Sequence, residues 1–329
     1  MKVLVCGGAG YIGSHVVRHL DANGHDVVVF DNLSTGHRDA VGLAQIIEGD
    51  ILDSAALNEL FTNHRFDAVM HFCALSQVGA SLIEPYLYYR NNVVGTLNLL
   101  QAMRAAGVCK LVFSSTAAVF GNPDTDLIDE NHSTQPINPY GSSKLMVERI
   151  LADAANAYGL RSVALRYFNA AGADPSGEIG EMHDPETHLI PNVLLAALGT
   201  GAELQVFGND YPTRDGTCVR DYIHVNDLAS AHLKAMQFMN EREGSHTFNL
   251  GNGQGFTILE VIGAAQYITG KVIRFKYAQR RQGDPAVLVA SGNKARLLMN
   301  WMPQFTDIAD IIETAWRWHQ GTKHGRIEH

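Results

Sequence analysis

The sequence predicts an α/β fold built on a doubly wound parallel sheet, and three patterns lead to this prediction. Across the first half of the chain, short apolar runs alternate with segments whose apolar residues recur at helical spacing. The run over residues 66–74 is almost continuously apolar, as in strands that are buried on both faces of a sheet. The first run, residues 2–6, leads into glycines spaced G-x-x-G-x-x-G at Gly7, Gly10 and Gly13. A strand, such a turn and a helix are typical of a Rossmann-type sheet, whose ligands lie beyond the carboxyl ends of the strands.

The glycine turn and the second predicted strand together indicate a dinucleotide site. Glycines at these positions permit positive φ, let backbone N–H groups approach a pyrophosphate and let the helix pack close to the strand. A glycine pattern alone is weak evidence, because a tightly packed turn without a ligand has the same pattern. The second strand, residues 25–30, ends at Asp31, 18 residues after Gly13. A carboxylate there accepts hydrogen bonds from a ribose and repels a 2′-phosphate, which favours NAD over NADP.

The remaining elements follow from the same patterns. In the first half, strands are predicted at 45–49, 66–74, 109–113 and 162–168, and helices around Leu57, over 84–107 and over 139–158. In the second half, helices are predicted at 189–198, 226–239, 257–269 and 307–320, and strands at 204–207, 246–250 and 272–277. Residues 172–188 lack periodicity and show the clearest change in composition. We therefore expect an NAD-binding domain over 1–170 and a smaller C-terminal α/β substrate-binding lobe over 171–329, with residues 215–250 packing back on the first domain.

Composition and charge exclude several classes of partner. With 25 Lys and Arg against 34 Asp and Glu, the net charge is −9, and no basic run is present. Binding to nucleic acid or to an anionic membrane surface is therefore not expected. No apolar stretch reaches the roughly 20 residues that span a bilayer. The four cysteines are scattered without a C-x-x-C pair, which indicates reduced thiols in a cytoplasmic protein and no metal site.

A tyrosine and a lysine supply candidate chemistry. Pro139 suits the first turn of a helix, and Tyr140 and Lys144 are four residues apart, so they share one helix face. A phenol with a pKa near ~10 is a poor base, but an adjacent ammonium and a positively charged nicotinamide favour the phenolate. Thr116, at the end of the neighbouring strand, supplies a hydroxyl that can pass the proton or hold the reacting oxygen. By spacing alone an ordinary surface pair is the more common interpretation, and the preceding dinucleotide site favours the catalytic one.

Several motifs of the sequence resemble those of a known family. The glycine turn, Asp31-Asn32, Tyr140-x-x-x-Lys144 and Arg166-Tyr167-Phe168-Asn169 are similar to the extended short-chain dehydrogenase/reductase superfamily. Within it, several segments resemble the UDP-glucose (UDP-galactose) 4-epimerase family: residues 7–14, 88–96, 207–213 and 215–225. The resemblance covers nearly the whole chain, and residues 215–225 are its most specific part.

The resemblance implies roles for the matching positions. The residues implied to line NAD are Gly7, Gly10, Tyr11, Ile12, Gly13, Asp31, Asn32, Leu33, Ser34, Thr35, Gly36, Asp50, Ile51, Phe72, Cys73, Ala74, Asn92, Ser114, Tyr140, Lys144 and Phe168. The residues implied to line the UDP-sugar are Thr116, Tyr140, Asn169, His188, Leu189, Gln205, Phe207, Arg220, Arg281, Asp284 and Leu288. From the residues themselves, Arg220 and Arg281 are isolated cations suited to bidentate phosphate contacts, which an acidic protein needs to hold a diphosphate.

The resemblance implies epimerisation at C4 of a UDP-hexose through a 4-keto intermediate, with Tyr140 as the base and NAD tightly bound. It also implies a homodimer paired through the helices 84–107 and 139–158. A leucine at 288, where family members restricted to UDP-glucose and UDP-galactose carry tyrosine, extends the expected substrates to UDP-N-acetylhexosamines. Two alternatives remain at this stage. One is another nucleotide-sugar epimerase or a 4,6-dehydratase, although Ala117-Ala118 stand where such a dehydratase carries an Asp-Glu pair. The other is a non-catalytic NAD-binding sensor on the same fold.

Overall fold

The computed structural model describes residues 1–281 and 284–321, and a seven-stranded sheet forms its centre. The strands of the described residues are β1 (Lys2–Cys6), β2 (Asp26–Asp31), β3 (Gln45–Glu48), β4 (Ala68–His71), β5 (Lys110–Thr116), β6 (Leu127–Ile128), β7 (Arg161–Tyr167), β8 (Asn169–Ala171), β9 (Leu204–Phe207), β10 (Val219–Arg220), β11 (Tyr222–His224), β12 (Ser245–Leu250), β13 (Phe256–Thr257), β14 (Phe275–Ala278) and β15 (Val287–Ala290). The central sheet has the order β12-β7-β5-β4-β1-β2-β3, and every neighbouring pair is parallel. The predicted α/β class and parallel sheet are confirmed.

Helices cover both faces of this sheet. They are α1 (Tyr11–Ala22), α2 (Ser54–Asn63), α3 (Val78–Ile83), α4 (Pro85–Tyr88), α5 (Gly95–Ala105), α6 (Pro139–Tyr158), α7 (Leu189–Leu198), α8 (Val225–Glu241), α9 (Ile258–Thr269), α10 (Asn293–Met299) and α11 (Ile308–Gln320). Side chains along β1 alternate between the two faces. Val3 and Val5 lie in a core with residues of α1 and α8, whereas Leu4 and Cys6 lie in a second core with residues of α2, α5 and α6. This two-sided burial explains the continuous apolar character of the central strands.

Two predicted elements differ in form. The strand predicted over 66–74 is limited to Ala68–His71, because the chain leaves the sheet after His71 and enters the loop that carries Phe72 to Ala74. The helix predicted over 84–107 consists of α4, a π-helical turn over Tyr89–Val94 and α5. Such π-turns are rare and occur frequently at functional sites.

The second half contains a further core, and the sequence did not reveal several short strands, of which β6 lies in the first half. Apolar residues of β9, α7, α9 and α11 form the core of this part. The strands β6, β10, β11 and β13 have only two or three residues, so they are too short for a period of two to be detected. The helix α10 and the strand β8 were also missed, and the strand predicted at 272–277 lies at Phe275–Ala278.

Residues 225–250 lie against the central sheet. The strand β12 pairs with β7 along its whole length, and Leu228 and Met236 of α8 share a core with Val16 of α1. The exact boundary between domain and lobe stays a prediction. Among the described residues, no helix combines the length and the apolar character that a membrane crossing requires.

Candidate active site

The glycine turn after β1 brings backbone close to backbone. Gly7 has a φ of +80°, and a Cβ there would lie 2.7 Å from the backbone nitrogen of Cys73. A Cβ on Gly13 would lie 2.1 Å from the carbonyl oxygen of Gly7, so α1 packs against the turn at a distance that only glycine permits. The N-terminus of α1, at Gly10, has no side-chain cap. The turn therefore presents an uncapped helix N-terminus, which suits an anion.

Asp31 connects this turn to the loop that follows β2. Its side chain is 6% exposed; Oδ2 accepts the N–H of Ala9 (2.9 Å) and Oδ1 accepts the N–H of Leu33 (2.9 Å). Leu33 has a φ of +56°, an uncommon conformation for leucine. The carboxylate thus fixes both walls of the site while its remaining lone pairs can accept from a ribose hydroxyl.

The other residues predicted to line the dinucleotide come together at one edge of the sheet. They lie in the turn after β1, the loops after β2, β3 and β4, on β5, and in the segment between β7 and β8. Asn32 donates to Asp50 (3.0 Å) across two of these loops. Asn92 lies in the π-turn, where its amide donates to the Leu75 carbonyl and to Ser143 Oγ of α6 (both 3.0 Å). The predicted set therefore shares the carboxyl ends of parallel strands, as ligand-binding residues of this architecture do.

The predicted catalytic groups meet where β5 and α6 approach. The side chain of Thr116 lies next to that of Tyr140. Lys144 is 2% exposed, and its Nζ donates to the carbonyl oxygen of Ser114 (2.8 Å). The helix that carries both residues starts at Pro139 and is capped by Asn138, whose Oδ1 accepts the N–H of Gly141 (2.8 Å). Local sequence thus sets the start of α6 and, with it, the position of both side chains.

Burial dominates the electrostatics of this pair. It raises the pKa of Tyr140, while the side chain of Thr116 acts in the opposite direction. It lowers the pKa of Lys144 to about 7, although nearby Glu148 acts to raise it. Lys144 Nζ donates to the Ser114 carbonyl and burial opposes its charge, so the expectation that its ammonium favours the phenolate stays a prediction.

A buried network supports the end of β5. The carboxylate of Glu148 on α6 accepts from Ser115 Oγ (2.5 Å) and from two nitrogens of Arg166 (2.9 and 2.6 Å). The side chains of Arg166 and Glu148 are 7% and 6% exposed. Next to it, Ser114 Oγ and the hydroxyl of Tyr167 form a hydrogen bond. These contacts tie α6 to β5 and β7 directly beside Tyr140 and Lys144.

The remaining polar residues predicted to bind substrate are an amide that follows β7 and two cations of the lobe. Asn169 begins β8, and its amide donates to the Asp221 carbonyl (2.8 Å). Arg220 on β10 forms an ion pair with Asp284. The guanidinium of Arg281 lies 4.1 Å from the centroid of the Phe207 ring and is exposed. The structure therefore pairs Asp284 with a predicted phosphate-binding arginine, and it leaves Arg281 as the accessible cation of this group.

Comparison with known proteins places the chain in a family. Residues 3–251 match the model of the NAD dependent epimerase/dehydratase family. The chain belongs to this family. It is 50% identical to the UDP-glucose 4-epimerase of Lacticaseibacillus casei over 99% of this chain and 98% of that protein. It is 51% identical to the UDP-glucose 4-epimerase of Rhizobium leguminosarum bv. trifolii over 96% of this chain and 97% of that protein.

Solved structures agree with this membership of the NAD dependent epimerase/dehydratase family. The UDP-glucose 4-epimerase from Brucella ovis in complex with NAD superposes with a TM-score of 0.94 at 48% identity, covering 96% of this chain and 97% of that one. The UDP-Glc/GlcNAc 4-epimerase from Campylobacter jejuni superposes with a TM-score of 0.86 at 41% identity, covering 97% of this chain and 99% of that one. The resemblance inferred from the sequence is confirmed, and the cofactor is NAD.

The remaining residues that are predicted to bind substrate lie on different elements of the structure. His188 is the N-cap residue of α7, and Leu189, the first residue of that helix, packs against the core of the lobe. Gln205 is exposed on β9. Leu288 on β15 is half-buried and, like Phe168, packs against the cluster that contains Val119 and Phe120.

Sequence reasoning missed Glu181, which organises the loop before α7. Burial would raise the pKa of this carboxyl, but hydrogen bonds from His183 and His188 outweigh burial and lower it to about 2. In the same way, burial would lower the pKa of His188, and Glu181 outweighs it and raises that pKa. Residues 172–188 have no periodicity, so no pattern in the sequence singles out Glu181.

Proposed function

We propose that this chain interconverts UDP-glucose and UDP-galactose, with NAD bound throughout the cycle. The observation that carries the proposal is the position of Tyr140, on α6, beside Thr116, which ends β5 of the central sheet that also presents the glycine turn after β1. The full-length similarity to UDP-glucose 4-epimerases supports the same reaction.

The residues around the glycine turn fit a dinucleotide. A Cβ at Gly7 or Gly13 would clash with backbone atoms, so only glycine keeps the space at this turn open. Asp31 supplies the carboxylate acceptor that a ribose hydroxyl requires. We assign the pyrophosphate to the N-terminus of α1 and the adenosine ribose to Asp31. When bound, the nicotinamide accepts a hydride from the substrate carbon and returns it to the opposite face of that carbon.

Tyr140 moves the proton in this scheme. Its phenolic oxygen takes the proton of the sugar 4-hydroxyl as the C4 hydrogen leaves, and it returns that proton when the 4-keto sugar, turned over within the site, is reduced from its other face. Thr116 holds the oxygen that reacts, through the hydroxyl that already contacts Tyr140. Lys144, in the second turn of α6, holds this helix against β5 through its hydrogen bond to the Ser114 carbonyl. Each proton removed is restored, so the cycle needs no second substrate.

The lobe holds the nucleotide diphosphate. Arg281 is accessible and stacked on Phe207, so it is held in place before a phosphate arrives. Arg220 contributes a second guanidinium, whose charge the phosphate shares with Asp284.

Leu288 is the residue that favours a wider range of sugar substrates. It pairs with Arg220 in the register of β10 and β15 and packs against the same apolar cluster as Phe168 and Ala117, which directly follows Thr116. A half-buried leucine there leaves more room than a tyrosine beside the sugar C2 substituent. We therefore include UDP-N-acetylglucosamine among the substrates, converted more slowly than UDP-glucose.

A homodimer paired through α3 to α6 is part of the proposal. Several large apolar side chains of these helices are exposed: Leu82 (63%), Ile83 (78%), Tyr86 (86%), Leu87 (51%) and Met146 (44%). Apolar surface of this extent on adjacent helices is typical of a protein interface. We expect the wild type to sediment as a dimer at micromolar concentration and Leu87→Glu to sediment as a monomer; a monomeric wild type contradicts the dimer.

We also propose a cytoplasmic location. All four cysteines are unpaired in the structure, and Cys109, at the start of the strand predicted over 109–113, is exposed. An exposed free thiol persists in a reducing compartment. Fractionation of the native cells with detection of the protein tests this location.

One experiment distinguishes the proposed reaction from its alternatives. The purified protein is incubated with UDP-galactose, and the nucleotide products are separated and identified by mass and by sugar analysis. An epimerase forms UDP-glucose of unchanged mass without an added oxidant. A dehydratase forms a product lighter by one water, and a sensor returns the substrate unaltered.

A further inference from the structure

The loop between β8 and α7 brings two histidines and two glutamates to one point. We call these four residues the 181–188 cluster: Glu181, His183, Glu186 and His188. One possible ligand atom from each residue lies within 4.8 Å of all the others. The cluster lies between residues of the core and the surface, since Glu181 is buried and His188 is exposed.

The distances within the cluster are close to those that a shared ion requires. Glu181 Oε1 lies 3.0 Å from His183 Nδ1 and forms a second, shorter contact with His188 Nδ1. The two imidazole rings are perpendicular with centroids 5.3 Å apart, so their Nδ1 atoms converge on the same carboxylate from two directions. A tetrahedral ion with bonds of about 2.0–2.2 Å keeps its ligand atoms about 3.4 Å apart. Small side-chain movements of less than about 1.5 Å therefore convert the cluster into a coordination shell.

Neighbouring contacts hold the cluster in place. The backbone carbonyl of Glu181 accepts the indole N–H of Trp318 (2.9 Å), which ties the loop to α11. Glu186 accepts the backbone N–H groups of Thr187 and His188 with one oxygen (2.7 and 2.8 Å), so its other oxygen is available to a ligand. These bonds fix the carboxylates before an ion arrives, as coordination sites require.

The donor set indicates the class of ion. Two carboxylates in a partly buried cluster repel each other unless positive charge is added, either by protons on the histidines or by a cation. Imidazole nitrogen with carboxylate oxygen suits divalent transition metals, whereas Mg²⁺ and Ca²⁺ prefer oxygen alone. We propose that the 181–188 cluster binds one divalent transition-metal ion of the Zn²⁺ class.

The position of the ion gives it a structural role. The ring of Tyr11, in the first turn of α1, lies edge-on to His183 with centroids 6.3 Å apart, and its hydroxyl donates to the Gly172 carbonyl (2.7 Å). An ion in the cluster therefore fixes the loop of the lobe against the helix that follows the glycine turn. This role is separate from the proton transfer at Tyr140, although His188 is also among the residues that the resemblance implies line the UDP-sugar. Metal binding and epimerase activity are therefore measured in separate assays, and His188 is left unchanged in the variants.

The test measures Co²⁺ binding to the full-length protein made without a polyhistidine tag and treated with a chelator. Equilibrium dialysis gives the stoichiometry, and the visible absorption of Co²⁺ reports four- or five-coordinate ligation. We expect one Co²⁺ per chain with this absorption, competed by Zn²⁺. We also expect Co²⁺ to raise the temperature of unfolding.

Two variants and one control decide the result. Glu181→Gln keeps the shape of the buried side chain and is expected to weaken Co²⁺ binding at least ten-fold, and His183→Ala, which changes a partly exposed residue, is expected to do the same. His246→Ala removes a histidine of β12, whose Nε2 contacts the Glu243 carbonyl, and should bind as the wild type does. Wild-type affinity in both cluster variants overturns the proposal. Absence of the coordinated absorption from the wild type also overturns it and leaves a proton-sharing network of Glu181 with the two histidines.

Discussion

Replacing Lys144 with methionine should make the nucleotide-stripped protein more stable and catalytically inactive. Lys144 is 2% exposed, and burial lowers the pKa of its ammonium from 10.5 to about 7. The buried ammonium of Lys144 therefore destabilises the folded chain, although catalysis requires it. Methionine has a similar length, is unbranched and carries no charge, so it fills the same space without this cost.

The size of the effect follows from the two pKa values. Each pH unit between them corresponds to about 1.4 kcal/mol, so the buried ammonium costs on the order of 4 kcal/mol at pH 7. Loss of the hydrogen bond to the Ser114 carbonyl offsets about 1–3 kcal/mol of this. We expect Lys144→Met to raise the free energy of unfolding by about 1–3 kcal/mol at pH 7.

The sign of the pH dependence is a second test. Because the folded-state pKa lies below the unfolded value, the unfolded chain binds more protons between about pH 7 and 10.5, and the contribution of Lys144 to stability rises with pH over that window. The advantage of the variant should therefore shrink from pH 7 to pH 9. Comparing variant with wild type at each pH isolates this lysine from the buried thiols, such as Cys6, whose raised pKa acts in the opposite direction.

The assay is urea unfolding followed by circular dichroism on both proteins, after removal of bound nucleotide has been verified by absorbance, because bound NAD would stabilise the folded state. Lys276→Met serves as the control. This lysine is 71% exposed in its pair with Glu203, and its replacement should change stability by at most about 1 kcal/mol. A Lys144→Met protein that is less stable than the wild type at pH 7, with a difference that does not change with pH, refutes the reasoning.

Three further predictions concern the turn, the buried ion pair and the sugar pocket. Gly13→Ala places a Cβ 2.1 Å from a backbone oxygen and should yield protein without bound NAD. The control Gly263→Ala on α9, where a Cβ meets nothing within 4 Å, should retain NAD. Equal NAD content in both variants would contradict the assignment of the glycine turn to the dinucleotide. Glu148→Gln leaves the buried guanidinium of Arg166 without its counter-charge and should lower the free energy of unfolding by about 3–5 kcal/mol in urea titrations, and a loss below about 1 kcal/mol would show that the pair is not desolvated. Leu288→Tyr should reduce turnover of UDP-N-acetylglucosamine more than that of UDP-glucose, by about 10-fold or more in their ratio of kcat/KM; an unchanged ratio means that Leu288 is not the gate.

The parts of the fold that the sequence predicts are those that local pattern controls. The glycine turn, the start of α6 at Pro139 and the helix over Leu189–Leu198 each depend on residues that are close together in the sequence. Spacing of four on a helix places Tyr140 and Lys144 together in any fold that forms the helix. These features required no knowledge of the rest of the chain.

The parts that were missed depend on partners distant in sequence. The strands β10 and β15 pair across more than sixty residues, and this pairing also brings Arg220 to Asp284. The π-turn over Tyr89–Val94 is held by Asn92, whose partners lie on another loop and on α6. No local period reports such contacts, because tertiary packing determines them.

The most direct test of the central claim is the rate at which NAD-loaded Tyr140→Phe converts UDP-galactose to UDP-glucose. The substitution removes only the phenolic oxygen that transfers the proton, so the bound NAD content and the circular dichroism spectrum should match those of the wild type. We predict a fall in kcat of at least about 100-fold, the usual lower contribution of a general base. A kcat within about ten-fold of the wild-type value would contradict the assignment of Tyr140 as the base.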